Sequence, residues 1–179
     1  TNLEKFDQKF RYSQLIQDID NTNNSIRNNL TNIKYRQLIS PAAFNTPATY
    51  NLNFNNKLEK GSVVSTSFTA TDGLTYSFVD DSVGKIQLAK TTNGAVNNPK
   101  EYFIQPDGST TQGTIDFTTG KIVLNSFRPL SITDNTSNIK FTVTPEINNS
   151  DITPLREQIL TYDATDTETI NISMVAETI

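Results

Sequence analysis

Asp72, Asp80, Asp81 and Asp107 fall in polar, turn-rich stretches between apolar runs, and loop carboxylates are the hard oxygen ligands that a calcium ion takes. The Asp-x-Asp-x-Asp-Gly spacing of a calcium loop is missing. Carboxylates that hold backbone N–H groups in turns account for the same residues. Asp151, Arg156 and Glu157 could supply an acid and a base beside an arginine clamp, since hydrolysis can run on two carboxylates alone. Nothing in their spacing sets the separation such a pair requires, and the chain has no tryptophan for the aromatic platform of a sugar cleft. With neither histidine nor cysteine, Ser-His and Cys-His pairs, thiol nucleophiles and Cys/His zinc sites are excluded. The expectation is a protein that is not an enzyme, with no catalytic, metal-binding or cofactor-binding residue. Asn-x-Ser/Thr triplets at Asn23, Asn29, Asn135, Asn148 and Asn171 recur by chance in a chain this rich in Asn, Ser and Thr, and carry no function.

What has to position these residues is mainly β structure. Isoleucine, valine and threonine number 51 against 8 alanines, a balance that favours pleated, half-buried surfaces. The net charge of −4, with both signs interspersed, leaves no footprint for a phosphate backbone, so nucleic acid is not an expected partner. No apolar run approaches the roughly 20 residues that cross a bilayer, and the N-terminal stretch lacks the basic-then-apolar pattern of a signal peptide. No membrane partner is expected.

Residues 112–127 are the most legible stretch. Ile115 and Phe117 alternate with polar residues, as do Ile122 and Leu124, and Thr118-Thr119-Gly120 between them reads as a three-residue hairpin loop closed by Gly120. Asp116 and Lys121, on its polar face, read as a solvated cross-strand pair. Elsewhere Tyr50, Leu52 and Phe54 alternate, as do Val64, Thr66, Phe68 and Ala70, and the Asp72-Gly73 turn leads back into Leu74, Tyr76 and Phe78. Ile86 and Leu88, Tyr102 and Ile104, and Ile139, Phe141 and Val143 give further strands, with 91–99 and 129–138 as loops. Glu157 to Tyr162 and Ile170, Ile172 and Met174 end the series. Ahead of it, Ser13 is placed as the N-cap of a helix over 14–20 with Leu15, Ile16 and Ile19 on its apolar face, packing on Ile33 and Tyr35 of a strand within 30–39. The fold class is mainly β: an antiparallel sandwich or barrel-like domain over 45–179, preceded over 1–44 by a helix, a strand and a linker that close an upstream α/β domain.

Several blocks, taken in order, resemble the C-terminal part of the baseplate wedge subunit of large contractile-tailed bacteriophages. They are 10–16 (Phe-Arg-Tyr-Ser-Gln-Leu-Ile) with Ile19-Asp20, 28–34 (Asn-Asn-Leu-Thr-Asn-Ile-Lys), 53–56 (Asn-Phe-Asn-Asn), 113–122 (Gly-Thr-Ile-Asp-Phe-Thr-Thr-Gly-Lys-Ile), 139–143 (Ile-Lys-Phe-Thr-Val) and 151–160 (Asp-Ile-Thr-Pro-Leu-Arg-Glu-Gln-Ile-Leu). The resemblance implies a late structural virion protein of the contractile tail. It implies two copies per wedge in an inner ring, partnered with itself and with other wedge subunits, assembled in the host cytoplasm. The alternative reading is a β-sandwich module of a tail fibre or cell surface that binds a receptor or glycan, for which Tyr76, Tyr102 and Phe103 are the candidate aromatics.

Overall fold

A computed structural model describes residues 11–23, 31–133 and 137–146. In chain order the elements are α1 (Tyr12–Asp20), β1 (Tyr35–Ile39), β2 (Ala48–Asn53), β3 (Val64–Ser65), β4 (Phe68–Thr69), β5 (Thr75–Asp80), β6 (Lys85–Thr92), β7 (Ala95–Val96), β8 (Thr111–Asp116), β9 (Lys121–Phe127), β10 (Ser131–Ile132) and β11 (Ile139–Val143). The strands join in one antiparallel sheet of order β1-β11-β3-β5-β6-β8-β9-β2, which curls until it is nearly closed into a barrel. β4 and β10 pair with each other beside β5, and β7 folds back on β6. Of the two expected architectures the structure takes the barrel-like one. The strands expected from Glu157 to Tyr162 and over Ile170, Ile172 and Met174 lie outside the described residues.

Closure follows from strict alternation. Ile139, Phe141 and Val143 in β11, Ile122 and Leu124 in β9, and Ile86 and Leu88 in β6 all point inward and are almost fully buried. At the centre Phe68, Phe78 and Phe127 form a triangle of rings with centroids 4.9 to 5.0 Å apart, and Phe141 lies 5.1 Å from Phe78. Such pairs add roughly 0.5–1.5 kcal/mol each beyond the area they bury.

The β8–β9 hairpin forms in the expected register, with Asp116 opposite Lys121 and Ile115 opposite Ile122. Its loop is one residue longer than expected, because Phe117 leaves the ladder and packs against the core from outside the strand. Asp116 and Lys121 face each other, but the Asp116 carboxylate turns into the loop, accepting the Thr118 N–H at 2.9 Å and the Thr119 hydroxyl at 2.8 Å. Gly120 has φ +71, and a Cβ there would lie 2.4 Å from the Asn56 carbonyl oxygen. Its own carbonyl accepts the Phe54 N–H at 2.9 Å, so the turn is clamped onto the chain beyond β2.

Four expectations are corrected. The run from Val64 to Ala70 is not one strand: Val64 is exposed while Ser65, Ser67, Phe68 and Ala70 are buried, so the facing parity flips between β3 and β4. Local polar bonds hold the kink, since the Ser65 hydroxyl accepts the Phe78 N–H at 2.9 Å and Thr66 Oγ1 accepts the Lys140 N–H at 3.0 Å. The region 91–99 is not a plain loop; β6 and β7 form a tight hairpin around Asn93 (φ 51) and Gly94 (φ 81), the pair of positive φ values of a type I′ turn. The helix starts at Tyr12, with Arg11 as its N-cap and no side-chain cap, so Ser13 lies inside its first turn. The loop 129–138 also contains β10, which extends the sheet beside β4.

The strand of the N-terminal segment joins the barrel. β1 pairs with β11 from Tyr35↔Val143 to Ile39↔Ile139, and the expected boundary between 44 and 45 falls in the connection from β1 to β2. That connection is pinned: Arg128 Nε donates to the Asn45 side-chain oxygen at 2.8 Å, the Asn45 N–H donates to the Pro129 carbonyl at 2.8 Å, and the Ser40 hydroxyl donates to Asn138.

Two sets of substitutions test this architecture by urea unfolding. Gly120→Ala is expected to cost about 2 kcal/mol or more, from the strained φ and the close approach together. Gly94→Ala, with open space around its Cβ, should cost only about 1 kcal/mol. Equal losses would remove the role given to the Asn56 contact. Phe78→Ala should cost about 3–5 kcal/mol, whereas Phe44→Ala at an exposed position should stay within about 0.5 kcal/mol.

Candidate functional site

Three of the four aspartates sit in turns and Asp80 ends β5; each accepts at least one backbone N–H. Asp72 Oδ1 accepts the Leu74 N–H at 2.9 Å and its Oδ2 accepts the Tyr76 hydroxyl at 2.7 Å. Asp80 is buried and ties two segments together, taking the N–H groups of Gly61 at 2.6 Å, Val63 at 2.9 Å and Ser82 at 3.2 Å. Asp81 Oδ1 gathers those of Val83, Gly84 and Lys85 at 2.8 to 2.9 Å, and Asp107 Oδ1 takes that of Ser109 at 2.9 Å. Asp72 and Asp80 stand at opposite ends of the β5 region, and among the described residues no group of three or more acidic side chains is arranged around a common point. Asp151, Arg156 and Glu157 lie outside the described residues, as do Asn29, Asn135, Asn148 and Asn171; Asn23 is exposed just after α1.

The candidate aromatics do not form a platform. Tyr76 is buried and meets Phe103 edge to face at 5.6 Å, and Phe103 packs against the core, so of the three only Tyr102 is exposed. Burial first, then the bond to the Asp72 carboxylate, raises the Tyr76 hydroxyl above the ordinary tyrosine range. Tyr76 is thus a wall residue with a satisfied hydroxyl.

No residue of α1 is fully buried, and Leu15, Ile16 and Ile19 are only half-covered. The helix meets the barrel end through Tyr12, whose hydroxyl donates to the Thr31 carbonyl at 2.6 Å. Tyr12, Ile33, Glu59, Thr144 and Pro145 line a cleft of about 210 Å³ there. Tyr12 and Ile33 both border this cleft, while Tyr35 packs against the core that holds Ile39.

One structural residue escaped the sequence reading. Gln37 shares the inward parity of Tyr35 and Ile39, and its carboxamide crosses from β1 to the backbone of β2: Nε2 donates to the Asn53 carbonyl at 2.8 Å, and Oε1 accepts the Asn53 N–H at 3.2 Å. A polar residue at an apolar parity position was the available signal.

Acid titration reads the turn carboxylates. For Asp81, desolvation would raise the carboxyl, but the N–H bonds of Lys85, Gly84 and Val83 outweigh it and hold the group below its ordinary range. Asp107 and Asp116 are lowered too, chiefly by Ser109 and by Thr119 respectively. A depressed folded value gives stability that is complete above the unfolded value, about pH 4, and is lost as the pH falls through the folded one. Asp81→Asn should therefore make the loss of stability between about pH 5 and pH 2 shallower than in the wild type. A variant with an equally steep acid limb would remove Asp81 from the account.

No curated protein and no solved structure matches the chain significantly. Residues 1–37 match the family described as baseplate structural protein gp6, C-terminal domain III. The matched stretch contains α1 and ends at Gln37, inside β1. The match is confined to these 37 residues; it supports a structural role in a phage baseplate and is consistent with a baseplate wedge subunit.

Proposed function

We propose that the chain is a non-enzymatic component of the baseplate wedge of a contractile phage tail, working by self-association and by binding other wedge subunits. Two copies serve each wedge, and the wedges close a ring in the virion after assembly in the host cytoplasm. Residues 1–44 finish a domain that lies upstream and 45–179 form the β domain, with β1 running from the one into the sheet of the other.

The observation that carries this reading is where the family match falls. It covers a helix whose apolar face is only half-covered, followed by a strand built into the barrel. A helix with an apolar stripe gains stability by packing on a further layer. An assembly protein supplies such layers from neighbouring subunits, and interfaces of that kind bury on the order of 1,200–2,000 Å² or more. The inward-turned Tyr76 and Phe103 give a glycan-binding module no comparable support.

The test is sedimentation of the full-length protein across a wide concentration range, with co-purification alongside co-expressed wedge subunits. Self-association that rises with concentration, or stable co-purification, is the expected result. A protein that stays monomeric throughout and retains no wedge subunit would overturn the reading.

A further inference from the structure

Among the described residues, every neighbouring pair along the barrel wall is joined by backbone pairing, down to the single pair Val64↔Val79 of β3 and β5, except the pair that closes it. β1 is laddered to β11 and β2 to β9, while β1 and β2 stand at the two ends of the sheet order. The Gln37 carboxamide spans this seam, and it does so with a matched donor and acceptor against the N–H and C=O of one residue, Asn53. A primary amide carries the same pair of groups as a peptide bond, so one side chain stands in for one rung of a ladder.

We propose that this seam is a latch, the place where the barrel opens first, with Gln37 as its closing group. A ladder places each rung on a backbone already fixed by its neighbours, whereas Gln37 must hold several side-chain torsions to make its two bonds. The far end of the seam is fastened, because the 40–47 connection is held through Arg128, Pro129 and Asn138. Opening therefore starts at the Gln37–Asn53 end, where the segment that follows α1 enters β1. It exposes the edge of β2 while the β5, β6 and β8 ladders stay closed. The latch is a property of the barrel and holds whatever its partners are.

Amide hydrogen exchange on the whole chain, resolved residue by residue by NMR, reads this directly. Gln37→Ala should speed exchange at Asn53 by about tenfold or more, the scale set by losing a hydrogen-bonded rung, with the amides of β5 and β6 unchanged. Gln37→Glu supplies a second signature. Its carboxylate keeps an acceptor for the Asn53 N–H but faces the Asn53 carbonyl without a donor, so protection at Asn53 should be low at neutral pH. It should recover as the pH falls through the carboxylate range, once rates are corrected for intrinsic exchange. Unchanged exchange at Asn53 in Gln37→Ala, equal acceleration in all strands, or no recovery on acidifying Gln37→Glu would each overturn the latch.

Discussion

A nearly closed sheet has an inside that must be filled by whatever its alternating side chains supply, and here four phenylalanine rings supply it. Phe68, Phe78 and Phe141 have no exposed surface and Phe127 has almost none. Interiors tolerate few voids, so a wall of this curvature is fixed by the bulk at its axis. The kink between β3 and β4 follows from the same demand. A straight strand with Phe68 inward would also turn Val64 and Thr66 inward, whereas the break places Ser65 beside β5 and returns Phe68 to the axis. The two hydroxyl bonds of Ser65 and Thr66 replace ladder bonds where the parity changes. The cost of leaving those N–H groups unpaired, about 1–3 kcal/mol each, explains why small hydroxyl residues stand there.

The legible parts of the sequence were those where one periodicity ran uninterrupted into a turn with special backbone demands. The β8–β9 hairpin meets that condition. The parts that misled were those where side chains replace backbone partners. In the 64–70 run a period of two persists in residue type, yet Ser65 and Thr66 break it in space. At Asn93-Gly94 the signal was present, but the flanking Thr91, Thr92 and Ala95 lack apolar contrast, so the hairpin read as loop. Ser13 is a better N-cap than Arg11 by type, but the helix starts two residues earlier than expected, at Tyr12, whose hydroxyl is bonded to the Thr31 carbonyl.

The candidate site residues show a different limit. A carboxylate that caps a turn and one that ligates a cation are the same group, and spacing separates them only when a whole ligand set is visible. Here each aspartate accepts at least one backbone N–H, and those donors compete with a cation for the same lone pairs. Gln37 is the converse case. It is unremarkable by type, and its role depends on Asn53, which neither periodicity nor motif connects to it.

β1 carries the consequence furthest. Its first residues end the stretch that matches a baseplate family model and the whole of it is a wall strand of the barrel, so the two share a backbone rather than a linker. A flexible linker would let the preceding segment reorient freely, because its residues hold no fixed partners. A shared strand does not. Any rotation of the segment ahead of Tyr35 is resisted on one side by the five-residue register with β11 and on the other by a single side chain. The resistance is therefore lopsided, and a displacement large enough to be felt in the barrel is felt first between β1 and β2, with the aromatic axis as the part that yields last.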